Sequence, residues 1–411
     1  MHSTRNALME SYIFNFINFN ADGYCQMTKK LKTSTVPATA EKISSLLKAI
    51  QERGDELQHK KITAGFDGFV DTIVRVIKKK QDGKLPSLFS TIQEFGNYIA
   101  RKHGASLSLE IEERASQPGG NMPIMAHALG QFGATVNCIG ALGHPQIHPV
   151  FKNFSPNCHL YSFADPGTAT AFEFNDGKIM LAQMGELNTF DWDKIKDAIG
   201  IDSLASIYQQ SDLLCLLNWS EIDASTSIWK GILSDILPRY SSAQKKQIAF
   251  FDLSDCSKRN NQAIKEALSL LQEFAKYTNV ILSLNKNEAG IVYKTLYGAN
   301  AKQDLLSTGK KIFKKTGIHT LVVHASKEVA AFTNAETVII NTFFIDEPKI
   351  STGAGDHFNA GFCAAQLLAL NLDSAVIMAN AVSGYYVTTG TSPVLPEIIN
   401  FLETTNYSSR Q

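Results

Sequence analysis

Between positions 351 and 361 the chain reads Ser-Thr-Gly-Ala-Gly-Asp-His-Phe-Asn-Ala-Gly, a stretch that sets an anion-gripping turn beside a carboxylate. Gly353, Ala354 and Gly355 carry little or no side chain, so the backbone can bend sharply and bring N–H groups against a phosphate oxygen. Phe358, Gly361, Phe362, Ala365, Leu368 and Ala369 then recur at helical spacing, which predicts a helix whose N-terminus, with its positive partial charge, lies at the glycine turn. Asp356 falls in the first turn of that helix. There the dipole and free amides favour the ionised carboxylate that a general base requires, and the chemistry they spell is phosphoryl transfer. The same residues also suit a plain helix cap and tight turn, since both types are favoured there with no ligand present.

Two further glycine-marked segments carry polar groups. In Gln117-Pro118-Gly119-Gly120-Asn121 the glycines would let backbone amides approach a hydroxyl, and Asn121 offers both a donor and an acceptor to a polyol. A glycine turn with an asparagine N-cap is the alternative. Gly65-Phe66-Asp67-Gly68-Phe69-Val70-Asp71 looks like a first strand and its exit, with two carboxylates close together. Other chemistries lack support. His144 and His148 have the spacing of helix-borne metal ligands, but Pro145 lies between them and no third ligand follows. No Ser-His-Asp or Cys-His order stands out, and Gly-x-x-x-x-Gly-Lys-[Ser/Thr] is absent.

The 351–361 segment resembles the second signature of the ribokinase-like (PfkB-type) carbohydrate and nucleoside kinases, Asp-Thr-x-Gly-Ala-Gly-Asp-x-Phe, through Gly353, Ala354, Gly355, Asp356 and Phe358. Ile350 and Ser351 depart from it at the leading Asp and Thr. The family's first signature, Gly-Gly-Asn-x-x-Asn-x-Ala with a later Leu-Gly, is similar to Gly119, Gly120, Asn121, Ala126, Leu129 and Gly130, with Ile124 in place of the second asparagine. The resemblance spans about residues 61 to 391 and implies Asp356 as catalytic base, with Gly353, Ala354 and Gly355 as the anion hole. It implies that Gly119, Gly120, Asn121 and a carboxylate near residue 70 hold the acceptor. Asp71 is the preferred carboxylate and Asp67 its competitor, while a plain strand-end turn is the alternative to both.

Asn285-Lys286-Asn287-Glu288 matches the family's Asn-x-x-Glu, which implies that Asn285 and Glu288 order magnesium-bound water, with Glu288 meeting the metal only through water. Asn380 and Gly384 resemble the helix flanking the adenine pocket and are equally an ordinary packed helix. Where many members carry a Thr-x-Gly nucleotide contact, this chain has Val323-His324-Ala325-Ser326-Lys327. The implied activity is an ATP- and Mg2+-dependent kinase that phosphorylates a hydroxyl of a sugar, sugar derivative or nucleoside; the resemblance also allows a monovalent cation and a homodimer through a lid. Ile124, Ile350 and the missing Thr-x-Gly motivate a second reading, a catalytically weak member acting as a ligand-binding or scaffolding subunit.

The elements that must position these groups follow from periodicity. Short β-rich runs at 136–141, 213–217, 248–253, 280–284 and 320–324 alternate with helical patterns, clearest at 121–131 and 263–277, which predicts a three-layer α/β/α domain around a mainly parallel sheet. Residues 71–77, 107–111, 168–174 and 178–182 alternate like half-exposed strands, the last two flanking the turn Asn175-Asp176-Gly177, and predict a small β-rich lid near 71–115 and 165–185. A helical insert is expected at 89–99. The organisation read here is an N-terminal extension and leading helix over 1–60, then one kinase domain over 61–411.

Composition narrows the partners. Lysine plus arginine and aspartate plus glutamate are 39 each, so no net basic field draws nucleic acid or an anionic membrane. Cys25, Cys138, Cys158, Cys215, Cys256 and Cys363 are scattered without a Cys-x-x-Cys pair, as reduced core residues of a cytoplasmic protein would be. The apolar run at 12–19 is too short to span a bilayer and lacks signal-peptide features. Met27 opens a more ordinary start, and the residues before it are set outside the fold.

Overall fold

In the computed structural model the described residues are 33–35 and 39–404, except 82, 241–246, 302–303, 344 and 346–347. The 12–19 run, Cys25 and Met27 lie outside them. The central sheet is built from β1 (Thr33–Thr35), β2 (Lys61–Phe66), β6 (Thr135–Gly140), β7 (Cys158–Ser162), β10 (Leu213–Leu216), β11 (Ile248–Asp252), β12 (Asn279–Asn285), β13 (Thr320–His324), β14 (Glu328–Thr333) and β15 (Thr337–Asn341). Its order is β1-β15-β14-β13-β12-β11-β10-β2-β6-β7. Only the β13–β14 and β14–β15 pairings are antiparallel. All five runs expected as central strands fall within one residue or so of an observed strand.

Those runs are continuously apolar because both faces of the sheet are covered. Along β10, Leu213 and Cys215 face one helical layer while Leu214 and Leu216 face the other. The first layer holds α1 (Ala40–Arg53), α3 (Asn121–Gln131), α10 (Ala354–Leu367), α11 (Leu372–Thr389) and α12 (Leu395–Thr404). The second holds α4 (Trp192–Ile199), α5 (Ile201–Gln210), α6 (Ser225–Gly231), α7 (Asn261–Phe274), α8 (Lys286–Tyr297) and α9 (Leu305–Thr316). The leading helix α1 buries Ile43, Leu46 and Ile50 in the first layer's core. Cys138, Cys215, Cys256 and Cys363 are buried free thiols, and Cys158 is half-buried. No helix of the described residues is long and apolar enough to cross a membrane.

A second, five-stranded sheet takes in the segments expected as a lid and is given that label below. Its order is β4 (Lys84–Leu88), β3 (Phe69–Gln81), β8 (Gly167–Phe174), β9 (Gly177–Gln183), with β5 (Ile111–Gly119) also paired to β3. The β8–β9 hairpin turns at Asn175-Asp176, as expected, and is tied to the insert: Asn175 N–H donates to the Ser90 carbonyl and Ile92 N–H to Asp176. The insert's helix is α2 (Ile92–Ala100), capped by Thr91. Its Ile92, Phe95 and Tyr98 pack on Val76, Phe89 and Phe174, a small core that fixes the lid sheet. Residues 107–111 are not a strand: Leu109 alternates apolar because it packs against this cluster, and pairing begins at Ile111 in a polar run without clear alternation.

Candidate active site

Parallel strands deliver their C-terminal ends to one edge, and the polar residues of the chain gather there. Asp67 follows β2, Asn218 follows β10, Asp252 ends β11, Asn285 ends β12 and His324 ends β13. Asp67 is fully buried. Its carboxylate accepts from Asn121 N–H at 2.8 Å, Met122 N–H at 2.9 Å and Asn218 Nδ2 at 2.7 Å, so it caps α3 and has no oxygen turned to a ligand. This is why Gly120 must lack a side chain. At φ +94° a Cβ there would be strained and would meet Asp67 Oδ2 at 2.5 Å.

Asp71 lies one strand-turn later, on the lid, opposite Gln117 in the β3–β5 register. Its side chain has no hydrogen-bond partner among the described residues, and a Cβ on Gly119 would meet its Oδ1 at 2.2 Å. Burial pushes the Asp71 pKa up to about 6; Lys178 of β9 pulls it down, and Asp67 adds to the rise. Lys178, an exposed residue of β9, is itself lowered by desolvation and raised by Asp71 and Glu173, so β9 brings an ammonium into the field of Asp71. Of the two candidate carboxylates, Asp71 is the one free to bind hydroxyls.

Gly353 sits at φ +84° and α10 begins immediately after it. Ala354 N–H donates to the Ser351 carbonyl at 3.3 Å, so of the three expected anion-hole amides this one is already engaged. Gly353 and Gly355 N–H have no acceptor among the described residues. Asp356 is in the first turn, where the Asn121 side chain approaches it. Contrary to the expectation that the helix N-terminus favours the ionised form, its pKa is raised well above the ordinary carboxylate range, first by desolvation and then by Asp252 and Asp67. Asn121, expected to bind the acceptor, has its main-chain N–H on Asp67 and its side chain at Asp356.

The turn is braced from behind. His357 donates through Nδ1 to the Gly353 carbonyl at 2.7 Å, and its Nε2 then accepts from the Ser392 hydroxyl at 2.8 Å. Tyr386 Oη donates to the Thr352 carbonyl at 3.0 Å and its ring stacks on His357, with centroids 3.6 Å apart. Burial lowers His357 to about 4, so the imidazole is neutral at physiological pH. His324 is likewise lowered to about 4 by burial; it stacks on Phe358, and its Cε1 would lie 3.9 Å from a Cβ on Gly355.

Asn285 and Glu288 form a capping box at the start of α8: Glu288 accepts from Asn285 N–H and Nδ2, while Asn285 Oδ1 accepts from Glu288 N–H. Burial raises Glu288 to about 9, with Asp252 adding to the rise. Asp252 is raised to about 6, mainly by burial, against bonds from Ser254 N–H and Asn359 Nδ2. Among the described residues no three His, Cys, Asp or Glu side chains converge as a direct metal site. Two buried carboxylates with no paired cation fit a hydrated Mg2+ instead, which keeps most of its waters and takes its other ligands from phosphates.

Asn380 is buried and donates to the Asn341 carbonyl, and Gly384 packs close to Phe401 and Phe343; neither touches the Asp356 cluster. The link from α11 to the turn is Ser383, whose hydroxyl donates to the Ala354 carbonyl at 2.9 Å. Asn218, Asp252, Lys178, His357 and Tyr386 carried no motif. Their only sequence signal was a polar residue at the end of an apolar strand, legible for Asn218 and Asp252.

Comparison with known proteins adds a family. The sequence profile of the prokaryotic ketohexokinases matches residues 38–405. A ketohexokinase of Haloferax volcanii is 26% identical over 343 residues, covering 83% of this chain and 90% of its own length. Among solved structures, the ribokinase of Thermotoga maritima superposes with TM-score 0.55 at 17% identity over 84% of this chain and 99% of its own. The Arabidopsis thaliana ribokinase complexed with ribose and ATP gives 0.59 at 14% identity over the same shares. At these identities the structures establish a shared fold.

Proposed function

The chain belongs to the prokaryotic ketohexokinase family of ribokinase-like, ATP-dependent sugar kinases, and from that premise we propose that its acceptor is a ketohexose, phosphorylated on one hydroxyl by Asp356 acting as base. The observation that carries the reading is the meeting of Asp356, the Asn121 amide and the unengaged Gly353 and Gly355 amides at one turn, beside an unpartnered Asp71. Asp71 accepts hydrogen bonds from the sugar and orients the attacking hydroxyl toward Asp356. Asp356 takes the hydroxyl proton as the oxygen attacks the γ-phosphorus; the bond to the ADP leaving oxygen breaks. Gly353 and Gly355 N–H stabilise charge on the transferring group.

Asp252 and Glu288 would hold Mg2+ through its waters, and the ion would neutralise the phosphates when bound. Burial above all holds Asp67, Asp252, Glu288 and Asp356 toward their protonated forms, and a bound cation would favour the ionised ones. The lid excludes bulk water during transfer and, through its exposed Ile111, Met180 and Leu181, joins a second copy of the chain. No observation favours the scaffold reading. The test is ADP release with fructose, other ketohexoses, ribose, sugar phosphates and nucleosides as acceptors. Selective turnover of a ketohexose is expected; preference for a nucleoside or a phosphorylated sugar would overturn the assignment.

A further inference from the structure

On the side of the anion turn braced by His357 lies a cavity of about 560 Å³. Thr352, His357, Tyr386 and Ser392, the residues that brace the turn, form one wall. Ile124 also lines the cavity and would stand 3.4 Å from a Cβ on Gly353. None of Asp71, Gly119, Gly120, Asn121 or Asp356 lines it. The volume lies within the ~300–1,000 Å³ of small-molecule sites.

The lining selects the chemistry. No Asp, Glu, Lys or Arg contributes to it. His127 accepts Ser155 N–H on Nδ1, and His148 accepts Val150 N–H on Nδ1, which leaves Nε2–H of each ring as a donor. Burial lowers the pKa of His127, so that ring stays uncharged near neutrality. Gln117, Asn153 and Ser392 add amide and hydroxyl groups, and Pro118, Pro149 and Phe154 supply apolar faces. Uncharged donors interleaved with apolar faces suit the hydroxyls and C–H faces of a carbohydrate, and they offer nothing to a phosphate or carboxylate.

We propose that this cavity is an effector site for a neutral, polyhydroxylated molecule of sugar size, whose occupancy tunes turnover through the brace on Gly353. A ligand that touches His357 or Ser392 acts on the bonds that hold the Gly353 carbonyl, and so on the amides facing the phosphate. The binding claim stands by itself; the effect on turnover rests on the catalytic reading of the turn.

The test uses the full chain with sorbitol, mannitol and methyl hexosides as probes, by calorimetric titration and by turnover at saturating acceptor sugar. At least one probe should bind and change kcat by about five-fold or more, within the usual range of coupling between sites. Asn153→Trp, at an exposed position of the rim, and Val150→Trp should fill the cavity and abolish both responses while leaving basal turnover unchanged. The proposal is overturned if no probe binds, if both tryptophan variants keep the response, or if saturating acceptor eliminates it, since the cavity would then be an extension of the acceptor site. Normal ketohexose turnover with no polyol response sinks this inference alone. Absence of ketohexose turnover sinks the acceptor assignment and leaves the titration to judge the cavity.

Discussion

In the proposed reaction Asp356 and Asp71 divide the labour by their surroundings. Asp356→Asn keeps the size of the side chain and its contact with Asn121 but cannot take a proton. Its kcat should fall by about 10²–10⁴-fold with little change in the sugar KM, as stopped ADP-release assays would show; unchanged kcat would remove it from the mechanism. Asp71 must be ionised to accept two hydrogen bonds, and burial sets its pKa at about 6. The sugar kcat/KM should therefore decline as pH falls through that value. Asp71→Asn should flatten this limb and raise the sugar KM. His324 and His357, both near 4, are neutral throughout this range and contribute no limb of their own.

The capping box of α8 shows how one motif serves an element and a ligand at once. Glu288 closes the box on Asn285, which accounts for the Asn-x-x-Glu spacing with no metal at all. Glu288→Gln separates the roles, because glutamine also closes a capping box but carries no charge to a hydrated cation. We expect a native urea midpoint and a KM for MgATP raised by about ten-fold or more, the usual cost of losing an outer-sphere partner of a metal. A lost midpoint with unchanged nucleotide affinity would make the motif purely structural. At the anion turn the element is held from the far side: α11 supplies Tyr386 and Ser383, and α10 supplies His357, so the turn's shape depends on helix packing as much as on its glycines.

Across the molecule, the price of an acidic active edge is stability. Asp252 binds its proton more tightly folded than unfolded, because burial raises it to about 6. Its ionisation therefore costs nothing below the unfolded value of about 4, costs progressively more as pH rises from there to the folded value, and levels off at about 3 kcal/mol above pH 7. Asp252→Asn should accordingly stabilise the ligand-free protein at pH 8 and lose that advantage near pH 4. Asn359 can turn its amide to meet the new side chain, since its other partner, Ser283, can accept as well as donate. A pH-independent difference in urea midpoint would refute the electrostatic account. The lid carries Leu181 at 59% exposure and Ile111 at 51%. Leu181→Lys should shift the chain toward monomer in light scattering if the lid pairs two copies, and an unchanged mass would exclude that contact.

Periodicity and small-residue spacing alone located the central strands, the ends of α3, the β8–β9 turn and the Gly353–Asp356 turn, because each is set by neighbours within a few residues. Short motifs could not say which of Asp67 and Asp71 keeps its carboxylate unbonded. That depends on Asn218, which lies 151 residues from the Asp67 it bonds, and on Gly119, whose missing side chain leaves room for Asp71. Asp252 joins the site through Asn359, 107 residues away, and the cavity behind the turn exists only where α3, α10, α11 and the loop after β6 converge. Local pattern determines which backbone forms; which polar atoms are left unpaired is decided only when distant strands and helices close on one another.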